Sequence, residues 1–203
     1  MAESSLRDKK KIATRKALAE AAFTLAIERG VDGFVVEDIV SKAGYSRRTF
    51  ANYFSCKEEA IANSLSLDDY FQPEGPFEFS PKDHTPLGTI EIFIRRSFTI
   101  NKLKRLNQLI SLSQTHPALR LYVTGALKEM QDFAVSGISE EYGSDYPEEY
   151  YPILIGAVFG ALLPVLDERF DVNLPDGEEQ SETSNEFNDY MDTVFTHLRK
   201  GFN

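Results

Sequence analysis

The stretch from Val35 to Lys57, VVEDIVSKAGYSRRTFANYFSCK, constrains this chain more than any other. Val36, Ile39 and Val40 recur at spacings of three and four, the apolar face of a short, half-buried helix. Ala43-Gly44 ends that helix, because glycine enters the left-handed cap conformation without a Cβ penalty. Ser46 then offers a hydroxyl to cap a second helix. That helix turns Phe50 and Phe54 inward and leaves Arg47, Arg48, Thr49, Asn52 and Tyr53 outside. A helix-turn-helix with arginines at the start of its second helix is the shape that enters a DNA major groove.

The charge distribution agrees with that reading better than the total does. The net charge is −10, which by itself argues against a polyanionic partner. Residues 1–60, however, carry 11 Lys and Arg against 9 Asp and Glu, while residues 61–203 carry 11 against 23. A mildly basic N-terminal unit is thus attached to an acidic body. Phosphate affinity depends on the cations that face the backbone, so the acidic remainder does not forbid it. Cys56, the only cysteine, excludes an internal disulfide and fits a reducing cytoplasm. The opening MAESSLRDKKKIATRK has no apolar core of the kind a signal peptide needs.

Arg7, Lys9, Lys10, Lys11, Arg15 and Lys16 face only Asp8 within residues 7–16. This run reads either as a solvated helix start or as an arm that touches phosphates or a minor groove. A helix then continues to about Arg29, with Leu18, Ala21, Ala22 and Leu25 on one face and Gly30 as its terminator. A hairpin-like GVDGF leads into the helix-turn-helix. Ser55-Cys56-Lys57-Glu58 matches a capping box, predicting a third helix that starts at Ser55 with Glu58 reaching back. Lys57 then stands at a helix N terminus, an unfavourable place for a cation unless an anion such as a phosphate is near. Cys56 reads either as a redox-sensitive thiol in that positive field or as an incidental small residue.

Residues 12 to about 62 resemble the N-terminal domain of the TetR (tetracycline repressor) family of bacterial transcription regulators. The resemblance rests on Ala21-Ala22, Gly30, Val36-Glu37-Asp38-Ile39 and Ala43-Gly44-Tyr45-Ser46, followed by Arg47-Arg48-Thr49-Phe50, Asn52-Tyr53-Phe54 and Lys57-Glu58-Glu59. It implies phosphate contacts from Tyr53 and Lys57 with Thr49 assisting, and base reading by Arg47 and Arg48, arginine being suited to guanine O6 and N7. Tyr45 adds a groove-wall contact, and Ser46 and Asn52 complete the set of DNA-facing residues. Three positions depart from the family pattern. Val35 replaces a usual threonine, Arg48 a usual small residue, and Ala51 a usual aromatic.

After Leu67 the sequence changes character, and the domain boundary is set there: 1–67 for DNA, 68–203 for a larger helical domain. Asp68 to Leu87 is a connector rich in proline, with Pro73, Pro76, Pro81 and Pro86. Thr85-Pro86 signals a helix that runs to about Ser113. Another runs from Pro117 to about Ser139, with Leu119, Tyr122, Val123, Ala126, Leu127, Met130, Phe133, Ala134, Gly137 and Ile138 on its apolar rows. After an acidic link at 139–149, Tyr150 to Leu166 carries no charge over 17 residues. That is too short to span a membrane and apolar enough to require burial on several sides, with Gly156 and Gly160 admitting a close neighbour. Phe170 to Ser184 is an acidic loop, and the last helix bears Phe187, Tyr190, Met191, Val194, Phe195, Leu198 and Phe202.

The expected fold is therefore all-α: a three-helix helix-turn-helix domain and a helical body. Two terminal apolar helices paired with their copies would make a four-helix bundle. The family resemblance implies the same homodimer, with a small-molecule pocket among the preceding helices. Phe93, Ser97, Asn101, Tyr122 and Phe133 are the pocket residues expected, read alternatively as helix edge and core. No phosphate-binding glycine loop, nucleophile elbow or zinc pattern is present, so neither an enzyme nor a cofactor is expected. His84, His116 and His197 lie too far apart in sequence to define a metal site. The function expected is a cytoplasmic repressor of a pseudo-palindromic operator released by a ligand. The alternative is an interaction protein that kept the fold without binding DNA.

Overall fold

The computed structural model describes residues 6–65, 85–167 and 185–201, and these contain nine α-helices and no strand. They are α1 (Leu6–Arg29), α2 (Val36–Ala43), α3 (Arg47–Ala51), α4 (Lys57–Ala62), α5 (Pro86–Ser97), α6 (Ile100–Thr115), α7 (Pro117–Tyr142), α8 (Tyr150–Leu166) and α9 (Asn185–Lys200). The contacts divide the chain into two units, Met1–Ser66 with Gln108–Ala126, and Leu67–Asn107 with Leu127–Asn203. The expected connector at 68–84, the acidic loop at 170–184, His84 and Phe202 lie outside the described residues.

The first unit is built on α1. Leu18, Ala22 and Leu25 are fully buried, and α1 packs on α2 and α4. Small side chains at Ala21, Ala22 and Ala60 let the α1 and α4 backbones approach, while Ile39, Phe50, Phe54 and Ile61 fill the space between helices. The basic run at 7–16 belongs to α1 itself. Arg15 is drawn into packing, with Nε donating to Asn63 Oδ1 at 3.0 Å and its guanidinium 5.7 Å from the Phe54 ring centre.

The hairpin expected at Gly30–Phe34 is instead a single 3-10 turn, Val31–Gly33. Gly30, at φ 74°, donates to Ala26 O and accepts from Gly33 N–H, so one left-handed residue closes α1 and opens the turn. Val31 drops into the core, at 2 % exposure. The N-cap of α2 is Val35, whose side chain can accept nothing; the Asp38 carboxylate accepts from the Val35 N–H at 2.9 Å and supplies half of a capping box. Gly44 ends α2 in the left-handed conformation, φ 74° and ψ 31°, as its sequence predicts.

The second unit assembles α5, the start of α6, the end of α7, α8 and α9. The single helix expected over 85–113 is broken at Phe98-Thr99. Phe98 takes ψ 81° and turns its ring inward, and the Thr99 hydroxyl accepts from Lys102 N–H, so threonine restarts the chain as α6. Helix α7 runs on to Tyr142, shortening the acidic link. Between α5 and α9, Arg95 joins Glu91 at 3.0 Å and Asp192 at 2.5 Å, and Arg199 also meets Glu91. Tyr190 donates to Ala161 O at 2.6 Å, tying α9 to α8.

Helix α8 is less enclosed than its composition predicts. Tyr151, Leu154, Ile155, Val158 and Leu162 are buried, whereas Ile153 stays 68 % exposed and Gly160 meets no neighbour within 4 Å among the described residues. Gly156 has only the Gln131 amide near it, at ordinary contact distance. The close approach expected at these glycines is therefore not made within the described part of the chain. No helix among the described residues is long and apolar enough to cross a membrane.

Candidate functional site

Helix α3 is placed by its cap and by two phenylalanines. Ser46 Oγ accepts from Thr49 N–H at 3.1 Å, and the two hydroxyls lie 2.8 Å apart. Phe50 and Phe54 are each 3 % exposed, with ring centres 5.6 Å apart, so one side of the helix is anchored in the core. The opposite side is then forced outward: Arg47, Arg48, Ala51 and Asn52 are all exposed. Ser46 and Thr49 spend their hydroxyls on each other, which fixes the helix start that carries the arginines. Tyr45 and Tyr53 are half-buried beside it.

Arg47 forms an ion pair with Glu37 at 2.8 Å, its side chain 77 % exposed. An ion pair this exposed is worth only about 0–1 kcal/mol, so a stronger anionic partner can displace Glu37 at little cost. Arg48 and Asn52, four residues apart, share a face of the helix end and project to solvent.

Lys57 stands at the start of α4, as expected. Its ammonium donates to Val31 O at 2.7 Å and Phe34 O at 3.0 Å, and lies 5.1 Å from the Phe34 ring centre. Backbone carbonyls and an aromatic face, rather than an anion, thus satisfy the cation at the start of α4. The capping register also differs by one residue from the predicted box. Cys56, not Ser55, is the N-cap, with its sulfur accepting from Glu59 N–H at 3.4 Å. Glu59, not Glu58, reaches back, accepting from Ser55 N–H at 2.7 Å and Ser55 Oγ at 2.6 Å. A serine one residue earlier is ambiguous in sequence, and only the backbone path selects the cap.

The second unit holds a cavity of about 260 Å³ lined from α5, α6, α7 and α8. Phe93 and Phe133, both expected, are part of its wall. The other three expected residues are elsewhere. Ser97 is fully buried off the wall, its hydroxyl without a hydrogen-bond partner among the described residues. Asn101 is exposed. Tyr122 belongs to the first unit, where its phenol faces Cys56, which raises its pKa. Helix α7 carries Tyr122 and Phe133 with the same periodicity, but the two fall in different units.

The wall includes residues that the sequence reading missed: Thr89, Phe98 and Glu141 among them. Thr99, a residue type able to cap a new helix, is a weak signal for it, since a restart there turns Phe98 inward. Thr89 Oγ1 donates to Thr85 O at 3.1 Å and contacts the buried Tyr142 hydroxyl. Burial pushes the Tyr142 pKa up, and the Thr89 contact partly offsets it. No group of three or more His, Cys, Asp or Glu able to hold a metal ion occurs among the described residues.

A short capped helix, anchored by phenylalanines and presenting arginines outward after a glycine turn, defines a helix-turn-helix DNA-binding domain. Residues 18–62 match the family model for bacterial regulatory proteins of the tetR family. The matched segment is that family's DNA-binding domain and a larger helical part follows it, which supports a DNA-binding transcriptional regulator of the TetR type. No curated protein matches the chain.

Proposed function

We propose that the protein is a homodimeric repressor that binds a pseudo-palindromic operator through α3 and is released by a small molecule held in the second unit. Residues 1–67 serve as the DNA-binding domain and 68–203 as the effector-binding and dimerisation domain. Arg47 and Arg48 read base edges, Asn52 and Tyr45 line the groove, and Tyr53 contacts phosphate. Ser46 and Thr49 contribute at the helix start, and Lys57 reaches phosphate with its remaining N–H. The single observation carrying this reading is the outward row of Arg47, Arg48 and Asn52 within the matched segment.

The exposed apolar side chain of Ile153, two turns before the open Gly160 on the same face of α8, supports pairing of α8 and α9 with a second copy. Two reading helices about 34–36 Å apart would engage successive major-groove faces. An effector that prefers another spacing shifts the population away from the DNA-competent form. A regulator of this kind acts in the cytoplasm.

Selection of binding sites from random DNA with the purified full chain tests the reading. The expected result is an inverted repeat with half-sites one helical turn apart. Recovery of no enriched sequence, with no gel shift at low salt on any fragment, would overturn it in favour of an interaction protein that uses the fold without DNA.

A further inference from the structure

We infer that the cavity of the second unit accepts an apolar molecule with a hydrogen-bond-donor head, an alcohol, phenol or amine, and discriminates against carboxylates of similar body. The inference rests on the proposal that this cavity is the effector site. Its wall is almost wholly aliphatic and aromatic, with Ile90, Phe93, Leu127, Met130 and Phe159 typical of it. At about 260 Å³ it lies just below the ~300–1,000 Å³ usual for ligand sites, so a slender or compact body is favoured.

The polar character of the wall decides the head group. Among the described lining residues, only Thr89 and Glu141 carry polar side chains, and none is Lys, Arg or His. Thr89 has one hydroxyl proton, and it goes to Thr85 O. With that proton on Thr85 O, the Tyr142 hydroxyl is the donor in its contact with Thr89. Thr89 is left with an unused lone pair and no proton to offer. Glu141, a carboxylate at the exposed edge, likewise accepts. Both polar side chains among the described residues of the wall are therefore acceptors. A donor head finds a partner at either residue. A carboxylate finds none, loses its hydration, and meets the charge of Glu141.

Calorimetric titration of the full chain, without DNA, with decanol, decylamine, methyl decanoate and decanoate tests this below their micellar range. Decanol and decylamine are expected to bind about tenfold or more tighter than decanoate, with methyl decanoate weaker than decanol. Thr89→Val, which keeps the shape and removes the acceptor, should bring decanol down to the level of methyl decanoate. Glu141→Gln, at an exposed position, should lower the affinity for decylamine relative to decanol. Decanoate binding as tightly as decanol, or no saturable binding of any of the four, would overturn the inference. Because DNA is absent, a chain that ranks these heads as expected but selects no DNA overturns the regulator mechanism and leaves the ligand class standing.

Discussion

Lys57 Nζ lies 2.7 Å from the carbonyl oxygen of Val31, joining the first residue of α4 to the 3-10 turn that precedes α2 across 26 residues of sequence. A second bond to Phe34 O at 3.0 Å makes the ammonium a clamp on both ends of that turn. A residue expected to face DNA thus also braces the helix-turn-helix from within.

Lys57→Met should therefore lower stability as well as DNA affinity. Hydrogen bonds to a charged group contribute about 1.5–3 kcal/mol, and the partial exposure of Lys57 favours the lower part of that range. Denaturant unfolding of the variant measures the loss. An unchanged midpoint would show that the clamp contributes nothing and that any DNA defect is a phosphate contact alone.

Arg47→Ala should weaken operator binding by about 1–3 kcal/mol and relax the base preference at one position of each half-site. Stability should hardly move, because the Arg47–Glu37 pair is exposed. Binding measured on the selected site and on random DNA separates base reading from phosphate attraction. An equal loss on both would remove Arg47 from the reading set.

Gly44→Ala should destabilise the first unit by roughly 1–2 kcal/mol, since φ 74° puts a Cβ against the following carbonyl. Space is not the issue, as no heavy atom lies within 4 Å of the added carbon. Thermal unfolding is the measurement. A wild-type midpoint would mean that the turn can relax out of the left-handed conformation.

Ile153→Asp should convert the proposed dimer to a monomer while leaving the monomer folded, because that side chain is 68 % exposed and touches little of its own core. Sedimentation velocity and circular dichroism give the two readouts. A dimer that survives the substitution would place the interface elsewhere.

Stability should fall as pH rises above about 10, the ordinary tyrosine value. Burial raises the pKa of Tyr142, Tyr150 and Tyr190, so in that window the folded state holds protons that the unfolded state has released. The unfolding free energy then decreases with pH. Tyr142→Phe should flatten part of the decline, read as denaturant midpoints between neutral and alkaline pH. A slope identical to wild type would exclude Tyr142 from it.

Much of the first unit was legible because its signals are local. Gly44, Ser46, Phe50 and Phe54 act over one to eight residues, and backbone sterics, capping and helical periodicity determine their conformations directly. The all-α class and the uncharged helix at 150–166 were legible for the same reason. The cap at Cys56 rather than Ser55 was not, because neighbouring residues can both cap and only the path of the chain into α4 chooses. The break at Phe98-Thr99 was hidden by apolar residues that suit a continuous helix equally well.

Periodicity identified which face of α7 is apolar, yet it could not separate Tyr122, beside Cys56, from Phe133, on the cavity wall. Lys57 likewise has the residue type of a phosphate contact, and its carbonyl partners lie 23 and 26 residues away in sequence. The sequence alone determined the helix-turn-helix, its glycine turn and its outward arginines, since these depend on interactions within a few residues. Tertiary structure decided the inward turn of Lys57, the acceptor-only wall around Thr89 and Glu141, and the open face of α8. Each of those depends on which distant atoms meet, and no local rule of spacing carries that information.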